Sequence, residues 1–387
     1  MPPPAPNASP DEPTFVAILT PRGRGAVATI GVRGPRAWEI VGRRFTPVSG
    51  KPLAHYAVGR ALFGRLRLGG EAVEECVVGL VGTQEVEVHC HGGLAVVEAA
   101  SAVLASEGAV RMESDRWAAL VEHDLLAAEA LLALADVRTE RAAAIVLDQY
   151  RGSLRRAVDR VAQLVARQDL ESAALELERI IGRAELGEHL TRRWRVVIAG
   201  RPNAGKSSLM NALVGYQRSI VLAEPGTTRD VLTAATAFEG WPVELADTAG
   251  LRTSGDAIEV EGVARAHGQI READLVLLVC DVTQAWTDAE RGVLAAAQTL
   301  VIHHKCDLAR PPADGRPSGL EVSSLTGAGI EELCRAIAAR LVPDPPQPGE
   351  AIPLGERQVR LLADILAAVR DGQSERANSL IRSLLGR

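Results

Sequence analysis

The spacing of apolar residues along this 387-residue chain changes several times, and each change predicts a different kind of structure. Over residues 14–112, short β-type runs at 15–20, 26–32, 57–62, 74–80 and 85–89 surround two stretches with helical spacing, 35–44 and 94–106. That mixture predicts a small α+β domain. Over 113–193 the chain is rich in Ala, Leu, Glu and Arg, poor in Gly and free of Pro. Leu125, Leu126, Ala130, Leu132 and Leu134 show the apolar spacing of helices, so a helical region is expected.

From 194 to 341 strand-like and helix-like segments alternate, with strands expected at 196–199, 233–238, 243–246, 275–280, 300–303 and 320–322. Such alternation predicts a doubly wound, mainly parallel sheet. A Pro-rich stretch, 342–351, reads as a linker to a helical tail, 352–387. The tail is too small to own a core, yet Leu361, Leu362, Ile365 and Leu366 form a burying stripe. Unless it hangs loose, it packs on 113–193, which makes the α/β segment an insertion within one helical domain. Residues 1–13 have neither the basic start nor the apolar centre of a signal peptide, and read as a disordered leader. No apolar run is long enough to span a bilayer, so no membrane association is expected.

A composition of 47% hydrophobic and 24% charged residues suits a globular protein with a real core. The net charge of −6 argues against a globally basic nucleic-acid binder, and Arg151, Arg155, Arg156 and Arg160 read as a solvated helix face. The cysteines, at 76, 90, 280, 306 and 334, lack C-x-x-C spacing, which suits a reducing cytoplasm. His89-Cys90-His91 reads as a strand end, because no third metal ligand accompanies the two histidines.

The chemistry is concentrated in the α/β segment. Gly200-Arg-Pro-Asn-Ala-Gly-Lys-Ser207 is a complete phosphate loop between an apolar strand and an amphipathic helix. Its backbone amides, from Asn203, Ala204 and Gly205 on to Ser208, are expected to cradle phosphates; Lys206 reaches the β/γ oxygens and the Ser207 hydroxyl ligates Mg²⁺. Lysine occurs only at 51, 206 and 305, and the last two fall in nucleotide motifs, where ammonium and guanidinium are not interchangeable.

Downstream, Gly226-Thr-Thr-Arg-Asp230 reads as a first switch, with Thr228 assigned to Mg²⁺ and Thr227 as the alternative. Asp247-Thr248-Ala249-Gly250 follows an apolar strand, so its carboxylate is expected to hold Mg²⁺ through water and the Gly250 amide to face the γ-phosphate. Leu251 stands where many GTPases place a water-orienting Gln. For base selection the chain has His304-Lys305-Cys306-Asp307 instead of Asn-Lys-x-Asp. Asp307 can accept both guanine N1–H and N2–H₂, whereas His304 is expected to weaken the bridge to the phosphate loop. Ser323 and Ser324 lie in a segment similar to the last guanine-contact motif.

These motifs, with Thr20-Pro-Arg-Gly-Arg-Gly-Ala-Val27 and Glu87-Val-His-Cys-His-Gly-Gly93, resemble the MnmE (TrmE) family of tRNA-modification GTPases over most of the chain. GTPases of the ribosome-assembly type have a similar G domain but a different N-terminal region. The resemblance implies a P-loop GTPase domain, 194–341, inserted in a helical domain of 113–193 and 352–387, behind an N-terminal folate-binding-like domain, 14–112. It implies Asn203 as a K⁺ ligand beside the phosphates and Glu259 as the residue that orients the attacking water. It further implies hydrolysis coupled to homodimerisation, a flavoprotein partner of the MnmG kind, tRNA, and 5-formyl-tetrahydrofolate held through Glu87.

Some positions depart from that pattern. Gly31 replaces an Arg of the family's folate pocket, Glu122 replaces a Lys, and Ser383-Leu-Leu-Gly-Arg387 replaces a terminal Cys-x-Gly-Lys. The expected function is therefore a potassium-stimulated GTP hydrolase in tRNA wobble-uridine modification. The alternative is a divergent switch GTPase that has lost the modification chemistry and regulates an RNA or protein assembly; an ATPase created by His304 is a third reading.

Overall fold

The computed structural model describes residues 12–20, 25–122, 124–216, 233–247, 270–296, 298–312 and 315–386. They fall into two compact units, Met1–Ala135 and Asp136–Arg387.

The first unit contains β1 (Phe15–Ile18), β2 (Val27–Arg33), α1 (Ala37–Arg44), β3 (Phe45–Pro47), β4 (Ala61–Gly69), β5 (Ala72–Gly82), β6 (Glu85–His91), α2 (Leu94–Ser106), β7 (Val110–Arg111), α3 (Ser114–Val121) and α4 (Leu125–Leu134). Among the described residues its strands form one sheet in the order β3-β4-β5-β6-β2-β1-β7. The two-residue period of a strand sends Ile30, Val32, Val78, Leu80, Val86 and Val88 into a core shared with Ile40 and Val41 of α1 and Ala100 and Leu104 of α2. The alternate positions, among them Thr29, Gly31, Glu87 and His89, belong to the opposite face.

The strand expected at 57–62 lies further along, at Ala61–Gly69. Gly59 has φ +84°, which breaks an extended run there. Within β4, Gly64 is needed because a Cβ would stand 2.4 Å from the Thr46 carbonyl oxygen of β3. The first unit also runs past residue 112 through α3 and α4, so these two helices group with the sheet and not with the helices that follow. Asp124 caps α4, its carboxylate accepting from the Leu126 amide.

The second unit begins with α5 (Glu140–Tyr150), α6 (Ser153–Ala166), α7 (Leu170–Ile181) and α8 (Ala184–His189). The α/β segment follows: β8 (Trp194–Gly200), α9 (Lys206–Tyr216), β9 (Thr233–Phe238), β10 (Trp241–Asp247), β11 (Leu275–Asp281), α10 (Asp288–Ala296), β12 (Thr299–His304), β13 (Leu320–Val322) and α11 (Ile330–Leu341). The strands form a sheet ordered β13-β12-β11-β8-β10-β9, with β9 antiparallel to its neighbour β10 and the other pairs parallel. The carboxyl ends of β8, β10, β11 and β12 consequently share one edge, the edge at which open α/β sheets bind ligands.

Two helices close the chain, α12 (Glu356–Arg370) and α13 (Ser374–Leu384). They pack on α7 and α6, with Leu362 and Ile365 fully buried. The stretch expected to be a linker is docked. Arg183 donates to Glu350 Oε1 at 2.8 Å and to Asp344 Oδ2 at 2.7 Å. Gln149 donates to the Glu350 carbonyl at 2.9 Å and accepts from the Ile352 amide at 3.1 Å. Gly187 leaves no room for a side chain, since a Cβ would lie 1.8 Å from the Pro353 carbonyl oxygen. Prolines suit such a strap, because they bring no backbone N–H that would need a partner on docking.

Candidate nucleotide-binding site

The phosphate loop leaves β8 at Gly200, whose φ is +146° and whose Cβ would fall 2.4 Å from the Val279 carbonyl oxygen of β11. Only glycine fits there. Gly205, with φ +97°, stands against the His304 ring, where a Cβ would approach Nδ1 to 2.4 Å. Asn203, exposed at the turn, has φ +61°. Lys206 opens α9 and is only 6% exposed; its Nζ donates to the carbonyls of Gly200 at 3.0 Å and Arg201 at 2.9 Å. An ammonium curled over the loop at a helix N-terminus is placed to meet phosphate oxygens.

Ser207 Oγ donates to Asp247 Oδ2 at 2.8 Å. Asp247 ends β10 and is fully buried, whereas Ser207 and the following Ser208 are exposed. A hydroxyl and a carboxylate side by side form the hard-oxygen pair that Mg²⁺ takes in phosphate sites. Ala204 is buried and offers its carbonyl to His304.

His304 differs from expectation. Its imidazole makes the bridge that an Asn was expected to make: Nδ1 lies 2.9 Å from the Ala204 carbonyl oxygen and Nε2 2.8 Å from Ser324 Oγ. A carbonyl only accepts, so Nδ1 carries the proton and Nε2 accepts from the serine hydroxyl. Burial of the ring pushes its pKa below the ordinary value, outweighing the Ala204 hydrogen bond, so the neutral tautomer fits both contacts.

Lys305 Nζ donates to the Asn203 carbonyl at 2.9 Å and to Asp281 Oδ2 at 2.6 Å. Burial alone raises the Asp281 carboxyl, but hydrogen bonds from Lys305 and Thr283 outweigh it and hold the group below the usual carboxylate range. Exposed Asp307 is steadied by Ser323, whose hydroxyl donates to Oδ1 at 2.5 Å. Asp281 lies in none of the sequence motifs; its signal in the chain is its place as an acid ending an apolar parallel strand.

The structure therefore brings Asn203, Ala204, Gly205, Lys206, Ser207, Asp247, His304, Lys305, Asp307, Ser323 and Ser324 to the carboxyl edge of the sheet. Gly226, Thr227, Thr228, Thr248, Ala249, Gly250, Leu251 and Glu259 lie outside the described residues.

In the first unit, Glu87 lies 3.3 Å from His89 Nε2, and His89 Nδ1 is 3.0 Å from Thr29 Oγ1. Gly31 sits opposite Glu87 in the strand register. A Cβ on Gly31 would fall 2.4 Å from the indole of Trp117, itself only 5% exposed. His91 belongs to strand β6 and pairs with Glu74, its Nδ1 2.5 Å from Oε1. Among the described residues there is no cluster of three metal-ligating side chains, and no helix is long and apolar enough to cross a membrane.

Comparisons with known proteins cover both units. Residues 14–115 match the family described as GTP-binding protein TrmE N-terminus, and residues 195–305 match 50S ribosome-binding GTPase. The chain is 34% identical over 378 residues to the tRNA modification GTPase MnmE of Synechococcus sp. (strain WH7803), covering 85% of this chain and 82% of that one. It is 36% identical over 380 residues to the MnmE protein of Chloroflexus aurantiacus, with the same shares. To that of Prochlorococcus marinus (strain MIT 9303) it is 32% identical over 424 residues, covering 96% and 90%. With the phosphate loop, the Ser207–Asp247 pair and the base segment on one sheet edge, and relatives matching along both units, the chain is a GTP hydrolase that belongs to the MnmE family of tRNA modification GTPases.

Proposed function

We propose that this protein acts in tRNA wobble-uridine modification as a potassium-stimulated GTPase whose turnover follows dimerisation. The observation that carries the hydrolytic part is the Ser207–Asp247 pair beside Lys206 at the head of α9. Lys206 is in position to exchange its carbonyl partners for phosphate oxygens. Ser207 and Asp247 are the residues to hold Mg²⁺, and Asn203 the residue to hold K⁺; both cations supply positive charge against the phosphate oxygens. Asp307 selects guanine, with Ser323 fixing its carboxylate. Thr228, Gly250 and Glu259 complete the reading as metal ligand, γ-phosphate donor and water-orienting carboxylate, roles that come from the family resemblance.

The packing of α12 and α13 on α7 and α6 supports an organisation in which the G domain is inserted in a helical domain. The names of the relatives support tRNA as the associated substrate, with a flavoprotein partner, a homodimer and a cytoplasmic setting following from the same family reading.

A folate group does not fit the residues at Gly31. The Trp117 indole fills the space that a pocket Arg would use, and Glu87 is engaged by His89. That mismatch favours, as a second reading, a switch GTPase that regulates an RNA or protein assembly without modifying RNA itself.

Phosphate release measured in KCl against NaCl, across protein concentration, tests the proposal. Rates that rise with both potassium and concentration are expected, and Glu259→Ala should abolish them. Equal rates in the two salts, or activity independent of concentration, overturn the potassium or the dimer component respectively. Modification activity with the flavoprotein partner separates the first reading from the second.

A further inference from the structure

Three side-chain ties join the phosphate loop and the base-recognition loops of the second unit. Lys305 holds the Asn203 carbonyl, Ser323 holds Asp307, and His304 reaches two separate loops at once. Of these residues His304 is the one that reaches two loops, with Ala204 100 positions away and Ser324 20. Each partner neighbours a nucleotide-binding residue: Ala204 lies between Asn203 and Gly205, and Ser324 follows Ser323.

We propose that His304 is a positioning residue for guanine nucleotides, a strut whose two ring nitrogens hold the phosphate loop and the last base-contact loop at a fixed separation. The inference rests on the GTP-binding reading of this site and deepens it.

A core histidine that merely fills space would have no reason to spend both nitrogens on loops facing the ligand. This ring also stands where a Gly205 side chain would be, so the loop is shaped to receive it. A ring tied at both ends resists rotation about its own χ2, which a single hydrogen bond would not prevent. Its charged neighbours are Lys305, Asp281 and Asp307. Two loops already held at the right spacing lose less freedom when a nucleotide spans them, so the gain appears as affinity for the intact nucleotide.

A fluorescent GDP analogue titrated into the full-length protein provides the test. His304→Ala should raise Kd by about tenfold or more, the loss expected when a bridge of one buried and one part-buried hydrogen bond is removed. Ser324→Ala should weaken binding as well, and the double variant should be no weaker than His304→Ala alone, because both remove one strut. His304→Asn restores a donor toward Ala204 and should recover a substantial part of the loss. In the wild-type protein, ¹⁵N spectra should show the neutral ring protonated on Nδ1, a readout that does not depend on the variants folding. GDP binding by His304→Ala at the wild-type Kd, fully additive losses in the double variant, or an Nε2-protonated ring overturn the strut while leaving the GTPase reading intact. A wild-type protein that binds no GDP overturns both.

Discussion

The Ser207 hydroxyl lies 2.8 Å from Asp247 Oδ2, which joins the first turn of α9 to the end of β10. The two oxygens converge beside the phosphate loop; the serine orders the buried carboxylate, and on the function proposed above it is also the residue to hold Mg²⁺. Ser207→Ala should reduce turnover by about 100-fold and raise the Mg²⁺ concentration needed for half-maximal rate. Phosphate release followed across a magnesium titration checks both. An unchanged magnesium dependence would remove Ser207 from the metal site.

Asp281 anchors Lys305 through a 2.6 Å ion pair, and the aspartate side chain is almost fully buried. Asp281→Asn keeps the shape but removes the charge, leaving the ammonium, among the described residues, tied to the Asn203 carbonyl. GDP affinity should fall by about tenfold, in line with loss of a charge-assisted hydrogen bond. Calorimetric titration with GDP reads this directly.

Acid should weaken the second unit through two histidines. His304 and His189, the latter stacked on Trp194 with ring centroids 3.6 Å apart, both have their pKa lowered from 6.5, chiefly by burial. A depressed folded pKa means that the unfolded chain takes up protons first. Their contribution is therefore fully present above about pH 6.5 and is lost as pH falls through the folded values. Urea midpoints should drop between pH 7.5 and pH 5.5, and by less in His304→Asn. A pH-independent midpoint over that range would contradict the burial of these rings as neutral groups.

Removing Arg183 should unlatch the strap. The guanidinium meets Glu350 and Asp344, and with Glu350 it forms a largely shielded pair, their side chains being 17% and 11% exposed. Arg183→Ala leaves the Glu350 carboxylate without its main partner and should destabilise the unit by about 2–3 kcal/mol. Glu350→Gln, which leaves no orphaned charge, should be milder. Denaturant melts of the two variants, compared at equal pH, test the order.

Trp117 should be a packing anchor of the first unit. Its indole lies on Gly31, so Trp117→Ala opens a cavity over the sheet and should cost about 3 kcal/mol or more. The wild-type protein should give no heat with 5-formyl-tetrahydrofolate in calorimetry. Binding of that ligand at micromolar concentration would show that the indole moves aside.

Much of this structure was legible in the chain. The segments 94–106, 233–238 and 320–322 appear as elements with those bounds, because each has clear apolar periodicity between turn residues. The strand after Gly59 begins later than the apolar pattern predicts, since Gly64, Arg65 and Arg67 hide the alternation that buries Leu66. The prolines of the strap predict a tether; what pins it are Gln149, Arg183 and Gly187, more than 150 residues earlier. His304 shows the same limit at the site. A motif fixes which loop carries a residue, but whether an imidazole can span the gap left by an asparagine depends on Gly205 and Ser324, which meet it only in three dimensions.

The strap changes how the nucleotide-binding sheet is mounted. Chain enters the sheet from α8 past the His189–Trp194 stack and leaves α11 at Val342, which is buried, straight into the segment gripped by Arg183 and Gln149. Both crossings are riveted. A sheet fastened at its inlet and its outlet behaves as a lever and not as a pendant, so a shift begun at its phosphate edge has a stiff route into α7 and α8.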